Sequence, residues 1–259
     1  MLMALGQFVF GLPTLAYQDF KRQTQWRHPS SSRVGARAAH RYFQTAERFG
    51  AAEALRIAKQ TLAKQGQPER FVQHFVSPTP GSVSSVGAVL TQLEPLPATL
   101  PSPAWVVLVG LAGQHIAVDG DEARELLHWL RGLRPVAGQL ELITVCAGSV
   151  LAAHAGLLTG RRATTHHLHL EELAAVDPRC DVVANRVFVA DGAVYSSAGV
   201  TTGIDLLLHR ISDTCGPALA AQVAQAMVVA LRRGPNDPEF SPFLHHRNHL
   251  HPALHRVQD

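Results

Sequence analysis

The chain has 259 residues, 46% apolar and 17% charged, the balance of a folded globular protein and not of a disordered one. That length holds one large α/β domain with appendages. The net charge is only +3 and no dense Lys/Arg stripe occurs, which argues against a dedicated nucleic-acid face, and no apolar run reaches the roughly 18 residues of a membrane span.

In chain order, the opening "MLMALGQFVFGLPTLAY" lacks a basic residue ahead of its apolar run and is interrupted by Gly11 and Pro13, so it does not read as a signal peptide. Residues 1–44 as a whole read as irregular. From Glu47 the pattern changes. "GAAEALRIAKQTLAKQG" places Leu55, Ile57, Ala58 and Leu62 at helical spacing and stops on Gly66. "RFVQHFVSP" is a short strand closed by Pro78, and the Pro/Ser/Gly-rich stretch to Pro103 reads as loop with one weak strand at most.

"WVVLVG" is a continuous β-branched run, the mark of a strand buried on both faces. "DGDEARELLHWLRGL" is a helix that starts on aspartate and groups Leu126, Leu127 and Leu130 on one side. "LELITVC" is a second buried strand running into the helix "GSVLAAHAGLL". A short helix "HLEELAAV", a hairpin turning at Asp191-Gly192, and two helices divided near Gly216-Pro217 follow. Strands alternating with helices predict a doubly wound, mostly parallel sheet with helices on both faces, with reactive groups gathered beyond the carboxyl ends of its strands.

Cys146 lies at such an end. A side chain at a strand-to-helix turn stands clear of the sheet, and the helix N-terminus beyond it favours an anion, so a thiol there can react as thiolate. The small residues Ala147 and Gly148 permit a tight elbow. Position alone does not decide the matter, because unreactive cysteines are among the most buried residues. Cys146, Cys180 and Cys215 are far apart with no CxxC pair, which fits reduced thiols in a cytoplasmic protein and not a disulfide framework or a zinc site. His166, His167 and His169 follow one strand later, within reach of a general-base or ion-pair role. They lack a carboxylate or thiol at ligand-like spacing, so no metal is expected. Glu47 and Glu53 flank the first helix, where a carboxyl could tune a nearby thiol or simply face solvent. The tail "FSPFLHHRNHLHPALHRVQD" is rich in histidine and reads as a solvated linker.

The ordered set "GAAEALRIA", "FVSPTPGSVSSVGAVL", "WVVLVGLAG", "VCAGSVLAAHAGLLTGRRATTHH", "NRVFVADGAVYSSAGVTTGIDLLLH" and "VVALRRGPNDPEFSPFL" resembles the DJ-1/PfpI superfamily. More narrowly, it resembles the amidase-like N-terminal domain of GlxA-type regulators of the AraC family, over residues 47–259. The resemblance implies a flavodoxin-like, class I glutamine amidotransferase-like α/β fold that is usually dimeric and uses no cofactor. By position it makes Cys146 the elbow cysteine, His166 the histidine beside it and Glu47 the acidic partner of the thiol. It places Gly110 and Gly113 in a loop whose amides face the cysteine, with Ala147 and Gly148 at the elbow.

Two departures stand out. The family opens on a buried strand, whereas "ARAAHRYFQTA" is polar and poor in β-branched residues, and Ala51 stands where the family has proline. An inner strand contributes several side chains at roughly 1.5 to 3 kcal/mol each, so without a substitute the domain is expected to be marginal or unfolded. The helix-turn-helix units that follow in such regulators are expected beyond Asp259. Residues 1–43 resemble instead the start of a U-type phage tail protein, which suggests a chimeric chain.

The expected organisation is therefore an irregular, phage-like segment 1–44, a DJ-1/PfpI-like domain 45–232 and a linker 233–259. The expected function is ligand or redox sensing for an AraC-type regulator whose DNA contact lies in a domain absent here. Its partners are then a small-molecule ligand and a second copy, with no membrane. The alternative is a cysteine-dependent hydratase, amidase-like hydrolase or glyoxalase/deglycase. A phage tail component rests on the first 43 residues alone.

Overall fold

The computed structural model describes residues 39–44, 49–83, 89–91, 93–110 and 116–240. Two strands anchor it. β5 (Ala104–Val109) has all six side chains buried, and β6 (Leu140–Val145) has five of six, as expected for β-branched runs at the centre of a parallel sheet. With β1 (Ala39–Gln44), β2 (Phe71–Val76), β9 (Phe188–Asp191) and β10 (Val194–Ser197) they form a six-stranded sheet in the order β2-β1-β5-β6-β10-β9. Every neighbouring pair is parallel except β10 with β9. That last pair is the expected hairpin, turning at Gly192 with φ 61°.

Helices cover both faces. α1 (Phe49–Lys64), α5 (Val200–Cys215) and α6 (Pro217–Ala226) bury Leu55, Leu207, Ile211 and Val223 against Trp105, Val107 and Ile143. On the opposite face, α2 (Asp121–Arg131), α3 (Gly148–His154) and α4 (Leu170–Val176) bury Leu130, Val150 and Leu173 against Val106, Leu108 and Leu142. Odd and even residues of β5 thus feed different cores, the period-2 rule at work. The helix stops are also local. After α1 the chain reverses at Gly66 with φ 67°, and the Gln67 amide returns to the Leu62 carbonyl at 2.9 Å. α5 and α6 are separated by Gly216 at φ 92°, followed by Pro217 as the first residue of α6. Doubly wound flavodoxin-like architecture is the result. Among the described residues no helix is long and apolar enough to cross a membrane.

Three expectations need correction. The segment read as irregular up to residue 44 contains β1, which lies between β2 and β5 and pairs with both, from Ala39↔Phe71 to Gln44↔Val76 on one side and from His40↔Ala104 to Phe43↔Val107 on the other. "AHRYFQ" has neither proline nor glycine, so every residue offers the ladder both backbone groups. The expected lack of a first strand, and the marginal stability built on it, therefore fall away. The loop between β2 and β5 holds two short strands, β3 (Gly81–Val83) and β4 (Val89–Thr91), paired antiparallel. β7 (Arg162–Ala163) and β8 (Asp181–Val182) pair in parallel outside the main sheet.

Candidate functional site

The carboxyl ends of β5, β6 and β10 converge on Cys146. This residue follows β6 directly and adopts φ 57°, a left-handed conformation that costs a non-glycine residue on the order of 1–3 kcal/mol and persists only where its surroundings hold it. Here they do. The Cys146 amide donates to the Ser197 carbonyl at 3.0 Å, and its carbonyl accepts from the Thr165 hydroxyl at 2.8 Å. Buried hydroxyls brace the first turn of α3. Thr144 Oγ1 meets Ser149 Oγ at 2.7 Å, Ser149 donates to the Thr164 carbonyl at 2.7 Å, and the Thr164 amide donates to Ser196 Oγ at 2.9 Å.

The glycines act through close approach and not through φ. A Cβ on Gly148 would lie 2.4 Å from the Leu108 carbonyl oxygen, and one on Gly110 would lie 2.4 Å from the Ala147 carbonyl carbon and the Gly148 nitrogen. β5 and the elbow therefore touch backbone to backbone. Gly110 itself sits at the pocket, but its amide donates to the Val145 carbonyl at 3.0 Å. That amide is committed to the sheet, so it does not face the cysteine as a spare donor.

A pocket of about 310 Å³ opens over the thiol, within the size of small-ligand sites. Cys146, His166, His167 and Gly199 line it on one side. His166 caps a single 3₁₀ turn (His167–His169), its Nδ1 accepting from the Leu168 amide at 3.3 Å. Burial, and then the neighbouring His167 and His169, hold its pKa below the ordinary histidine value. The His167 ring lies 4.2 Å from that of His166. His169 is turned inward, 3% exposed, with Nδ1 2.6 Å from Glu172 Oε2. The other oxygen of Glu172 accepts from the Ile116 amide at 3.1 Å. The three histidines thus part company, two toward the pocket and one into a carboxylate clasp.

Of the other sequence candidates, Ala147 and Gly148 are buried and do not line the pocket. Glu53 forms an exposed pair with Arg56, which holds its carboxyl below the usual range. Glu47, Gly113 and the histidines of the tail lie outside the described residues. Cys180 is a buried thiol pushed up to about 11 by burial, then by Asp177, Asp181 and Asp191, unsuited to nucleophilic work. Among the described residues no group of three or more His, Cys, Asp or Glu side chains is placed to hold a metal ion.

Sequence reasoning missed half of the pocket wall. Arg233, Glu239 and Phe240 line it from a segment read as linker, together with Thr201 and Thr202 from the start of α5. Asp205, 4% exposed on α5, accepts the Arg233 amide at 3.1 Å and its side chain at 2.8 and 2.7 Å. A buried aspartate beside Leu206, Leu207 and Leu208 demands a cation, and that was the available signal.

Residues 102–213 match the DJ-1/PfpI family, and residues 6–48 match Phage P2 GpU. An HTH-type transcriptional regulator CdhR of Pseudomonas aeruginosa is 38% identical over 112 residues, 43% of this chain and 32% of the regulator. An isonitrile hydratase of Pseudomonas putida is 36% identical over 110 residues, 41% of this chain and 44% of the hydratase. The matched stretch therefore spans less than half of either relative. In fold, a THiJ/PfpI family protein from Pseudomonas syringae superposes with a TM-score of 0.58 at 17% identity, covering 85% of this chain and 86% of that one. An AraC family transcriptional regulator from Pseudomonas putida gives 0.56 at 16% identity, covering 74% of this chain and all of that one (100%). Strand order, elbow and sequence match agree in the stretch 102–213, which is similar to the DJ-1/PfpI family.

Proposed function

We propose that the domain binds a small molecule above Cys146 without turning it over, as the sensing part of a transcriptional regulator. The observation that carries this reading is the state of His166. Its Nδ1 accepts the Leu168 amide, so in the neutral ring the proton sits on Nε2. The lowered pKa keeps that neutral form dominant near pH 7. A ring in this state carries its donor on Nε2, and its Nδ1 lone pair is engaged by the Leu168 amide and not free to take the thiol proton. On this view His166 does not serve as the general base that the thiolate chemistry of a hydratase or hydrolase calls for.

The donor suits a ligand with a carbonyl or carboxylate oxygen. The relatives named as HTH-type regulators, CdhR and GbdR of Pseudomonas aeruginosa, support the regulatory reading, with DNA contact assigned to a separate helix-turn-helix part. The isonitrile hydratase keeps the enzyme reading in play, and it sets the test. Purified protein is incubated with cyclohexyl isocyanide and, separately, with methylglyoxal, beside Cys146→Ser. No product above the variant is expected. Turnover that disappears in Cys146→Ser overturns the sensor reading.

A further inference from the structure

We propose that residues 229–240 are a displaceable wall of the Cys146 pocket, through which occupancy of the pocket is passed to the chain beyond. This rests on the pocket being a ligand site. Past α6 the chain turns at Val228, with φ 56°, and runs back over the start of α5. There it supplies Arg233, Glu239 and Phe240 to the pocket.

Its attachments past Val229 are mostly polar, among them a bond from Arg232 Nη2 to the Leu208 carbonyl at 3.5 Å. Arg233 is clamped to Asp205 by its amide and its guanidinium, and Nη2 also reaches Thr201 Oγ1 at 3.3 Å. The Val187 amide donates to the Asp237 carbonyl at 3.0 Å, and the Gly234 amide donates to Asp237 Oδ2 at 2.6 Å. The Glu239 amide donates to Asn185 Oδ1 at 3.1 Å. Val229 at its start packs partly against the core, whereas Leu231 is 75% exposed. A segment held mainly by hydrogen bonds and by the Arg233–Asp205 and Glu239–His167 pairs, with little apolar burial past Val229, opens at lower cost than the core it lies on.

Its inner side is the pocket. Glu239 Oε1 lies 3.3 Å from His167 Nδ1, and the Phe240 ring stands edge-on to the His167 ring at 4.9 Å. His167 is therefore shared, lining the pocket while gripping the strap. A ligand seated against Cys146 and His166 meets His167, Arg233 and Glu239 at once. It must either strengthen or displace those contacts, and the end of the strap moves with them. Arg233, Glu239 and Phe240 are on this view the residues that set which ligands register.

The test uses the full chain and iodoacetamide, which fills the pocket covalently at Cys146. Hydrogen–deuterium exchange of the 229–240 peptide is compared between free and carbamidomethylated protein, and the alkylation rate of Cys146 is compared between wild type and Arg233→Gln. A change of at least fivefold in exchange on carbamidomethylation and at least fivefold faster alkylation in Arg233→Gln are expected. Exchange that does not change, or alkylation within twofold of wild type in a folded Arg233→Gln, overturns the proposal. If Arg233→Gln does not fold, Glu239→Gln, at the far end of the strap, decides by the same rate. These readouts are independent of turnover, so a Cys146-dependent isonitrile hydration would sink the sensor reading and leave the strap to be judged separately.

Discussion

Arg210→Met should unfold the domain far more readily than its place on the side of α5 away from the elbow suggests. Arg210 is 7% exposed and Glu141, on β6, 5%. Arg210 Nη2 donates to Glu141 Oε2 at 2.6 Å, and Nη1 donates to Asp213 Oδ2 at 2.7 Å. The guanidinium also lies over the rings of Tyr195 and Trp105, at 4.3 and 5.4 Å. Removing the cation leaves the Glu141 carboxylate buried, with the Gly138 amide at 3.3 Å as its remaining partner among the described residues. Asp213 is half-exposed and rehydrates. Breaking one side of a buried pair costs about 3–5 kcal/mol, against a total of about 5–15 kcal/mol for a domain. At about 2–4 °C per kcal/mol for a domain of this size, the Tm should fall by roughly 6–20 °C in a calorimetric or circular dichroism melt. Arg210→Met with Glu141→Leu should recover most of that loss, because the double variant buries no charge. A single-variant cost below about 1 kcal/mol, or a double variant no more stable than the single, would refute the claim that the pair matters through its buried carboxylate.

Gly148→Ala should cost about 1–3 kcal/mol by overpacking, since its Cβ meets the rigid Leu108 carbonyl at 2.4 Å; it should also change the alkylation rate of Cys146, and a melt and rate equal to wild type would contradict the close approach. Cys180 should resist alkylation at pH 8–9 in the native state, with its thiol raised from 9.0 to about 11. The sign follows from a folded value above the unfolded one: its contribution to stability is complete below pH 9 and is lost as pH rises through 11. Between pH 8 and 11 the urea midpoint of wild type should therefore fall further than that of Cys180→Ala, and parallel curves would count against it. For His166 the folded value is the lower one, so its contribution is present above the ordinary histidine pKa and is lost on acidification through the folded value. Nitrogen-15 shifts of the ring should show the Nε2–H tautomer at pH 7 and a midpoint below 6.5; an Nδ1–H tautomer would remove the argument against a base.

How much of this was legible in the sequence depends on the range of the interaction. Val106 to Val109, the Asp191-Gly192 turn and the Gly216-Pro217 break announce themselves because composition and backbone preference act within a few residues. The elbow at Cys146 was legible for the same reason. Gly148 was legible there as a residue that permits a tight turn, but the partner it makes room for, Leu108, is 40 residues upstream and was not. The Arg233–Asp205 clamp, the bond from the Ile116 amide to Glu172 and the commitment of the Gly110 amide are all closures between distant segments. They leave no periodic trace. Polar groups at a pocket wall are visible only once the fold has brought them together.

The same distinction explains how β1 can be central without looking like a core strand. A parallel inner strand must satisfy its backbone on both sides, and that demand concerns N–H and C=O groups, which any residue other than proline supplies. "AHRYFQ" meets it in register with β2 over all six residues. It does so from within residues 6–48, the stretch that matches Phage P2 GpU, while the DJ-1/PfpI match begins at residue 102. The sheet is therefore assembled across two unrelated sequence matches. Hydrophobic pattern argued against this strand, and ladder geometry admits it. In a sheet already fixed by the apolar runs of β5 and β6, the slot between β2 and β5 selects first for an unbroken backbone and only second for apolar side chains. A test of that order of demands is to break the backbone and leave the rest. Tyr42→Pro removes one ladder donor between Val106 and His74, and should cost about 3 kcal/mol or more. Arg41→Lys, which keeps every backbone group, should cost far less. Equal effects from the two would show that β1 is not held by its ladder.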